Sequence, residues 1–490
     1  MSEALNYIVY LLQSGLGNLA SYLAAHVLLC LLPAFFIAGA LTALVPKEAI
    51  TRFLGRNTPK YISYPAAALA GSVLAVCSCT IVPLFVGIYR KGAGLGPAMT
   101  FLFFAPAGNI LALAYTGVAI GGDIALARII LSVTFGIGIG LIMALIFRKD
   151  DAQHDLETNG MDVKTTLRRK TLVFLLLLVA LLLAGTLKVG LFTNSYATIT
   201  LPISGMDRFQ GLLYQLVPFD AAKGEEGVSA QGAILIGLLA LIGLTAWRGL
   251  GKVDQGFNRW TWVSLGLIAL TFIVAAAVWV PHAGGLDILL TGKMFGVALT
   301  MIAIAVVAWE AFDPYDIQEW LWETWRFVQQ IFPLLIVGVF VVGMVRRIIQ
   351  PEWIQALAGR NTFLGAFAGV VFGVFMYFPT LVEVPIAKMF LDLGMHRGPL
   401  LASLMADPEL SLQSILITAT IIGKKKAWTY VALVALFSTL SGLIYGAWVN
   451  GASALVLLGY LAASIGVLAL ALTIMDRRNR RVAATAHASE

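Results

Sequence analysis

The chain has 490 residues, 59% of them hydrophobic and only 12% charged, and its mean hydropathy is +0.88. Soluble chains carry about 25% charged residues, so a soluble globular protein is excluded. The net charge of +7 is gathered in short clusters between apolar runs; that pattern orients membrane helices and does not make a nucleic-acid surface.

Apolar runs near the length of a bilayer crossing predict spans at 27–45, 64–89, 97–117, 123–147, 171–192, 231–247, 260–280, 294–312, 327–345, 363–391, 398–422, 427–448 and 452–475. The start, MSEALNYIVY, has no basic residue, so the first helix and not a cleaved signal peptide is expected to direct insertion. Basic clusters at Arg148–Lys170, Arg248–Arg259, Lys424–Lys426 and Arg477–Arg481 are expected in the cytoplasm, and the acidic stretch 193–230 outside. The four clusters share one side only if 64–89 and 363–391 are re-entrant hairpins. Each is too long for one crossing and too short for two. Trp309–Arg326, with five acids and four tryptophans, reads as a helix lying at the membrane interface. Cys30, Cys77 and Cys79 lie in apolar surroundings, which is no disulfide framework.

The stretch 75–109 organises the rest. Pro83, Pro97 and Pro106 remove backbone donors, and five glycines loosen the same segment. Inside a bilayer such breaks survive only within protein or beside a watery cavity, and they point to a transport site. The pattern returns 302 residues on: Pro83, Gly92, Gly96, Pro97 and Pro106 meet Pro385, Gly394, Gly398, Pro399 and Pro408, and Ser78 meets Thr380. Gly55-Arg-Asn-Thr58 recurs as Gly359-Arg-Asn-Thr362. The expectation is an all-α polytopic membrane protein of two homologous repeats with broken or re-entrant helices, inverted in preference to parallel. Its parts are repeat one at 27–147, inserted helices at 171–312, an interfacial helix at 313–326, repeat two at 327–448 and a last helix at 452–475.

At Cys77-Ser-Cys79-Thr-Ile-Val-Pro83, then Gly87-Ile-Tyr-Arg-Lys-Gly92 and Gly96-Pro97-Ala98, the chain resembles the YraQ-type family of predicted permeases, which includes the ArsP organoarsenical efflux permeases. Pro106-Ala-Gly-Asn109 occupies that family's break. The first repeat carries the likeness, and the second keeps only its Pro/Gly frame. The resemblance implies a secondary permease without fixing its substrate.

Candidate substrate-binding residues are Cys77, Ser78, Cys79, Pro83, Pro106, Asn109, Thr380 and Pro408. Cys77 and Cys79 face one cavity only if their segment is unwound. Thiols suit soft species, and packing as small apolar residues is the alternative. Asn109 serves either a solute or freed backbone groups. Glu383, Lys388, Asp407 and Glu409 are candidate ion-coupling groups, since ionisable residues in hydrocarbon are costly. A structural Glu383–Lys388 pair is the other reading of the first two, and helix capping that of Asp407 and Glu409. No histidine pair has metal-ligand spacing, and no nucleotide-binding or nucleophile motif is present, so neither a metal nor a cofactor is expected. The function read from these features is a secondary-active permease of the cytoplasmic (inner) membrane exporting a small solute. If the cysteines bind it, that solute is thiophilic: a trivalent organoarsenical or a soft metal-like species. A passive channel or a membrane thiol or redox enzyme stays open. The partners are the solute and the lipid bilayer, with no nucleic acid, and a homo-oligomer stays open.

Overall fold

The computed structural model describes residues 2–25, 29, 31–73, 78–158, 168–186, 190–203, 205–217, 227–282, 285–346, 348, 351–376, 383–407 and 409–453, with isolated positions from 455 to 466. The expected helix 452–475 lies largely outside them, as do Cys30, Cys77, Thr380 and Pro408.

The helices run in chain order as α1 (Ser2–Ala25), α2 (Leu32–Leu44), α3 (Lys47–Leu54), α4 (Lys60–Val73), α5 (Ser78–Arg90), α6 (Leu95–Ala107), α7 (Ile110–Ala119), α8 (Gly122–Ile146) and α9 (Arg148–Thr158). Then come α10 (Arg169–Thr186), α11 (Gly190–Thr193), α12 (Met206–Leu216), α13 (Ala230–Gly249), α14 (Arg259–Ala276) and α15 (Gly292–Ala311). The last set is α16 (Pro314–Arg346), α17 (Pro351–Ala358), α18 (Phe363–Met376), α19 (Glu383–Asp392), α20 (Arg397–Ala406), α21 (Leu412–Ile422) and α22 (Lys424–Val449). Among the described residues, seven helices are long and apolar enough to cross a membrane: α8, α10, α13, α14, α15, α16 and α22.

Two long apolar runs are each split into a hairpin. In the first, α4 and α5 both pack on α6, and α5 packs also on α2. The hairpin is closed at its base, where the Gly94 amide donates to the Leu54 carbonyl (2.8 Å) and Gly55 bridges Ala93. Both ends of 60–90 therefore lie together, as a re-entrant segment requires. In the second, α18 packs on α20, and the His396 amide donates to the Ala358 carbonyl (3.0 Å). At its base each hairpin passes to the next helix through a positive-φ glycine, Gly92 (φ 88°) between α5 and α6 and Gly394 (φ 89°) between α19 and α20, a conformation that glycine adopts without steric cost.

Helix crossings repeat at the same spacing. α6 crosses α8 where Gly96 meets Gly140, and α20 crosses α22 where Gly398 meets Gly442. A Cβ on Gly140 would fall 2.6 Å from the Gly96 carbonyl oxygen, and one on Gly442 would fall 2.6 Å from that of Gly398. Only bare backbones fit at either place. Pro97 and Pro399 take the third positions of α6 and α20, in the first turn, where a missing N–H leaves no bond unmade.

The two hairpin bases sit at opposite ends of α8. At its C-terminal end, Asp151 accepts from the Leu95 amide (2.8 Å), beside the first base. At its N-terminal end, Asp123 pairs with Arg397, beside the second. A 25-residue helix separates these ends by about 37 Å. Lys426, at the start of α22, reaches Asp150 at 3.4 Å, so Lys424–Lys426 share an end with the basic link that opens at Arg148.

Three features differ from the sequence-based expectation. First, the fold is not purely helical. β1 (Ser195–Leu201), β2 (Val278–His282) and β3 (Gly285–Thr291) form an antiparallel sheet in the order β1-β3-β2, with Ile199 opposite Ile288 and Val280 opposite Asp287. β1 carries three consecutive β-branched residues, Thr198, Ile199 and Thr200, and β-branching favours a pleated surface; the expected span 260–280 stops at Ala276, where β2 follows. Second, α1 precedes the first expected span, whose described part is α2. Third, the expected interfacial helix is not separate. It is the first part of the 33-residue α16, which runs unbroken through Pro333. Trp320 and Trp325 are buried, and the Trp320 indole donates to the Phe36 carbonyl at 2.9 Å. A buried indole with a hydrogen-bond partner belongs to packing between helices, and the exposed Trp309 alone keeps an outward position.

Candidate functional site

The break between α6 and α7 and the first turn of α19 leave helix-end carbonyls and amides without intrahelical partners. At the first break the orphan is the Ala107 carbonyl. Arg128, on α8, donates to it from Nε (3.2 Å), and the Ser132 hydroxyl lies at 3.4 Å. Arg128 also donates from Nη1 to Thr116 on α7 (3.3 Å), whose own hydroxyl donates to the Ala112 carbonyl. Its remaining nitrogen, Nη2, lies 2.7 Å from Oε1 of Glu383, the first residue of α19. Both side chains are inaccessible, at 0% and 1% exposure. One guanidinium thus caps the end of α6 and neutralises the carboxylate that opens α19. Ser132 adds a second link, 3.3 Å to the Met405 sulfur on α20.

Glu409 lies just past the end of α20 and is also buried. The Tyr430 hydroxyl on α22 donates to its Oε2 at 2.7 Å. Asp407 is buried too, with its amide donating to the Ser403 carbonyl. Asn109 is buried at the first break, where its carbonyl accepts from the Leu113 amide. Pro83 is buried within α5 and Pro106 within α6. Ser78 and Cys79 begin α5, and their side chains lie outside the described residues. Lys388 points outward, so the alternative Glu383–Lys388 pair is replaced by Arg128–Glu383. Five residues along a helix do not bring side chains to one face as three or four do.

Sequence reasoning missed Arg128 and Asp123. The signal was present, since both lie in the apolar run 123–147, where an ionisable group is costly for the same reason as Glu383.

At the two ends of the bundle, further polar contacts hold the hairpin bases. Asp123 accepts from Arg397 Nη1 (2.6 Å) and from the Tyr445 hydroxyl (2.9 Å). At the opposite end, Asp151 faces Arg56 (3.6 Å), and Arg90 donates to Gln330 on α16 (2.9 Å).

A family profile described as ArsP_1, predicted permease, matches residues 14–447. The chain belongs to the ArsP_1 family of predicted permeases. The family match spans both hairpins and every helix of the site. Within the same group of proteins, the UPF0718 protein MJ0584 of Methanocaldococcus jannaschii is 32% identical over 445 residues, covering 91% of this chain and 98% of that protein. The UPF0718 protein YraQ of Escherichia coli is 31% identical over 122 residues, 25% of this chain and 34% of that protein. The UPF0718 protein YcgR of Bacillus subtilis is 27% identical over 114 residues, 23% of this chain and 38% of that protein. No solved structure matches. This ArsP_1 chain is a multi-pass membrane protein of a permease family, and the site lies among its broken helices.

Proposed function

We propose that the chain is a secondary-active permease that exports a small solute across the cytoplasmic membrane by exposing one central site alternately to the two faces. The observation that carries this reading is the Arg128–Glu383 pair. It is dehydrated and joins the end of α6 to the start of α19, in two units whose hairpin bases lie at opposite ends of α8. Alternating access in many transporters rests on broken helices at a repeat interface near mid-membrane. The matched glycine crossings and positive-φ glycines support descent of the two units from one duplicated ancestor, and the opposed bases support their inverted arrangement. The basic end of α8 is then cytoplasmic.

The solute is a thiophilic species, a trivalent organoarsenical or a soft metal-like compound. Support comes from the Cys77-Ser-Cys79 run in the sequence and from the affinity of thiolates for soft centres. The test is uptake of a trivalent methylarsenical into everted membrane vesicles holding the full chain. Uptake above its electrochemical equilibrium that collapses with the proton gradient supports the reading. Uptake that only follows the solute's own gradient makes the protein a channel, and thiol oxidation without uptake makes it an enzyme.

A further inference from the structure

We propose that Glu409 carries the coupling proton of this permease, exchanging it through a single water held beside it. Two independent features meet there. The first is an unsatisfied atom: Oε2 accepts from Tyr430, but Oε1 is buried with no hydrogen-bond partner among the described residues. The second is a cavity of about 10 Å³ next to it, lined by Ile81, Leu102, Ser414, Thr418 and Tyr430 among others. A cavity of roughly 10–15 Å³ is the least that holds one water, and such a water needs two or more polar partners. Glu409 Oε1 and the hydroxyls of Ser414 and Thr418 provide them.

The contrast with Glu383 decides between the two carboxyls. Glu383 has a guanidinium at 2.7 Å and stays compensated while ionised. Among the described residues no basic side chain pairs with Glu409. Among the described residues that line the cavity, the one other titratable group is Tyr430 on α22. The lining residues of α5 and α6, Ile81, Val82 and Leu102, are apolar, and those of α21 are Ser414, Ile415 and Thr418. An unpaired charge in such surroundings is expensive, and the neutral acid is the form that fits. A metal cation fits less well, because so few oxygens line the space and hard cations take six or more. The exchange balances simply: hydronium in the cavity gives a proton to Oε1, leaving a carboxylic acid and one water, and the reverse step returns it. Because α5 and α6 belong to the first unit and α21 and α22 to the second, the cavity lies on the surface along which the two units meet. A change in their packing wets or dries Glu409, and so ties its protonation to the direction the site faces.

The proposal rests on the permease reading for its purpose, but its test does not need the solute. The full chain in liposomes is followed by infrared difference spectroscopy between acid and alkaline buffer, in H2O and D2O. The expected result is a protonated-carboxyl stretch that shifts in D2O, disappears in Glu409→Gln, and moves in frequency in Tyr430→Phe as its hydrogen-bond donor is lost. A band unchanged in Glu409→Gln overturns the proposal, as does the absence of any such band in the wild type. If Glu409→Gln does not fold, a band unmoved in Tyr430→Phe overturns it equally. Displacement of the titration by sodium at constant ionic strength also overturns it, in favour of a metal cation. Absence of the band from the wild type leaves the permease reading standing, whereas the expected band without solute uptake removes that reading alone.

Discussion

Arg397 donates to Asp123 at 2.6 Å, tying the first residue of α20 to the start of α8, 274 positions earlier in the chain. The two side chains keep 36% and 29% exposure, so the pair stabilises the fold by at most about 1 kcal/mol. Its place matters more than its strength, since it closes one end of the interface between the units. Asp123→Asn is therefore expected to leave the melting temperature nearly unchanged while raising access from that face. The measurement is the labelling rate of a single cysteine at Ala112, in a background with the native cysteines replaced. A several-fold rise is expected from the Asp123 side only, and an equal rate would make the pair a mere surface contact.

The central pair behaves differently, because nothing hydrates it. Removing one partner of a buried ion pair costs about 3–5 kcal/mol, since the other charge stays buried and uncompensated. Arg128→Met is expected to destabilise by that amount, and to do so further by freeing the Ala107 carbonyl. Adding Glu383→Gln to Arg128→Met is expected to recover more than half of the loss. Denaturation in detergent micelles measures both. Additive effects of the two substitutions would show that the residues do not depend on one another.

The contact of Lys426 with Asp150 at 3.4 Å fixes a topological outcome. Single cysteines at Lys425 and at Arg168 are expected to react with an impermeant reagent from the same face of the membrane. Reaction from opposite faces would mean that the re-entrant hairpins do not return as the structure has them.

Gly442 tests the close crossing of α20 and α22. A methyl group there meets the Gly398 carbonyl oxygen at 2.6 Å, which is backbone and not a side chain that can swing away. Overpacking of this kind costs about 1–3 kcal/mol. Gly442→Ala is expected to lower stability within that range, as read by the same denaturation curves, and Gly138→Ala, where a Cβ meets nothing within 4 Å, is expected to change little.

The broken hairpins were legible because prolines and glycines inside apolar runs have few explanations in a bilayer, and charge parity added a second constraint. Glu383, Asp407 and Glu409 were legible for the same reason, and all three are buried. The partner of Glu383 was not, because Arg128 lies 255 positions away and only the folded chain brings them together. Lys388 drew attention by nearness in sequence, which on a helix says little about nearness in space. The Trp309–Arg326 stretch misled because tryptophan with acids fits a membrane surface as well as it fits the end of a long helix. Burial of Trp320 against Phe36 decides between them (ring centroids 5.6 Å apart), and that depends on α2, remote in sequence. The sheet went unread because its strands are short and β1 is separated from β2 and β3 by whole helices, so its pairing is set by tertiary neighbours.

The glycine crossings have a mechanical consequence. Where Gly96 meets Gly140 and Gly398 meets Gly442, backbone rests on backbone, and a glycine has no side chain to change rotamer and absorb a displacement. Each unit is stiff along those lines. Between the units the contacts are of another kind: the Phe135 and Phe437 rings with centroids 4.8 Å apart, the Ser132–Met405 contact, and the side chains around Glu409. These contacts can slide and re-pack around the buried Arg128–Glu383 pair, which is the costly one to break. The soft seam of the molecule thus passes through its central carboxyls, and whatever strains that seam reaches them before any helix has to unwind.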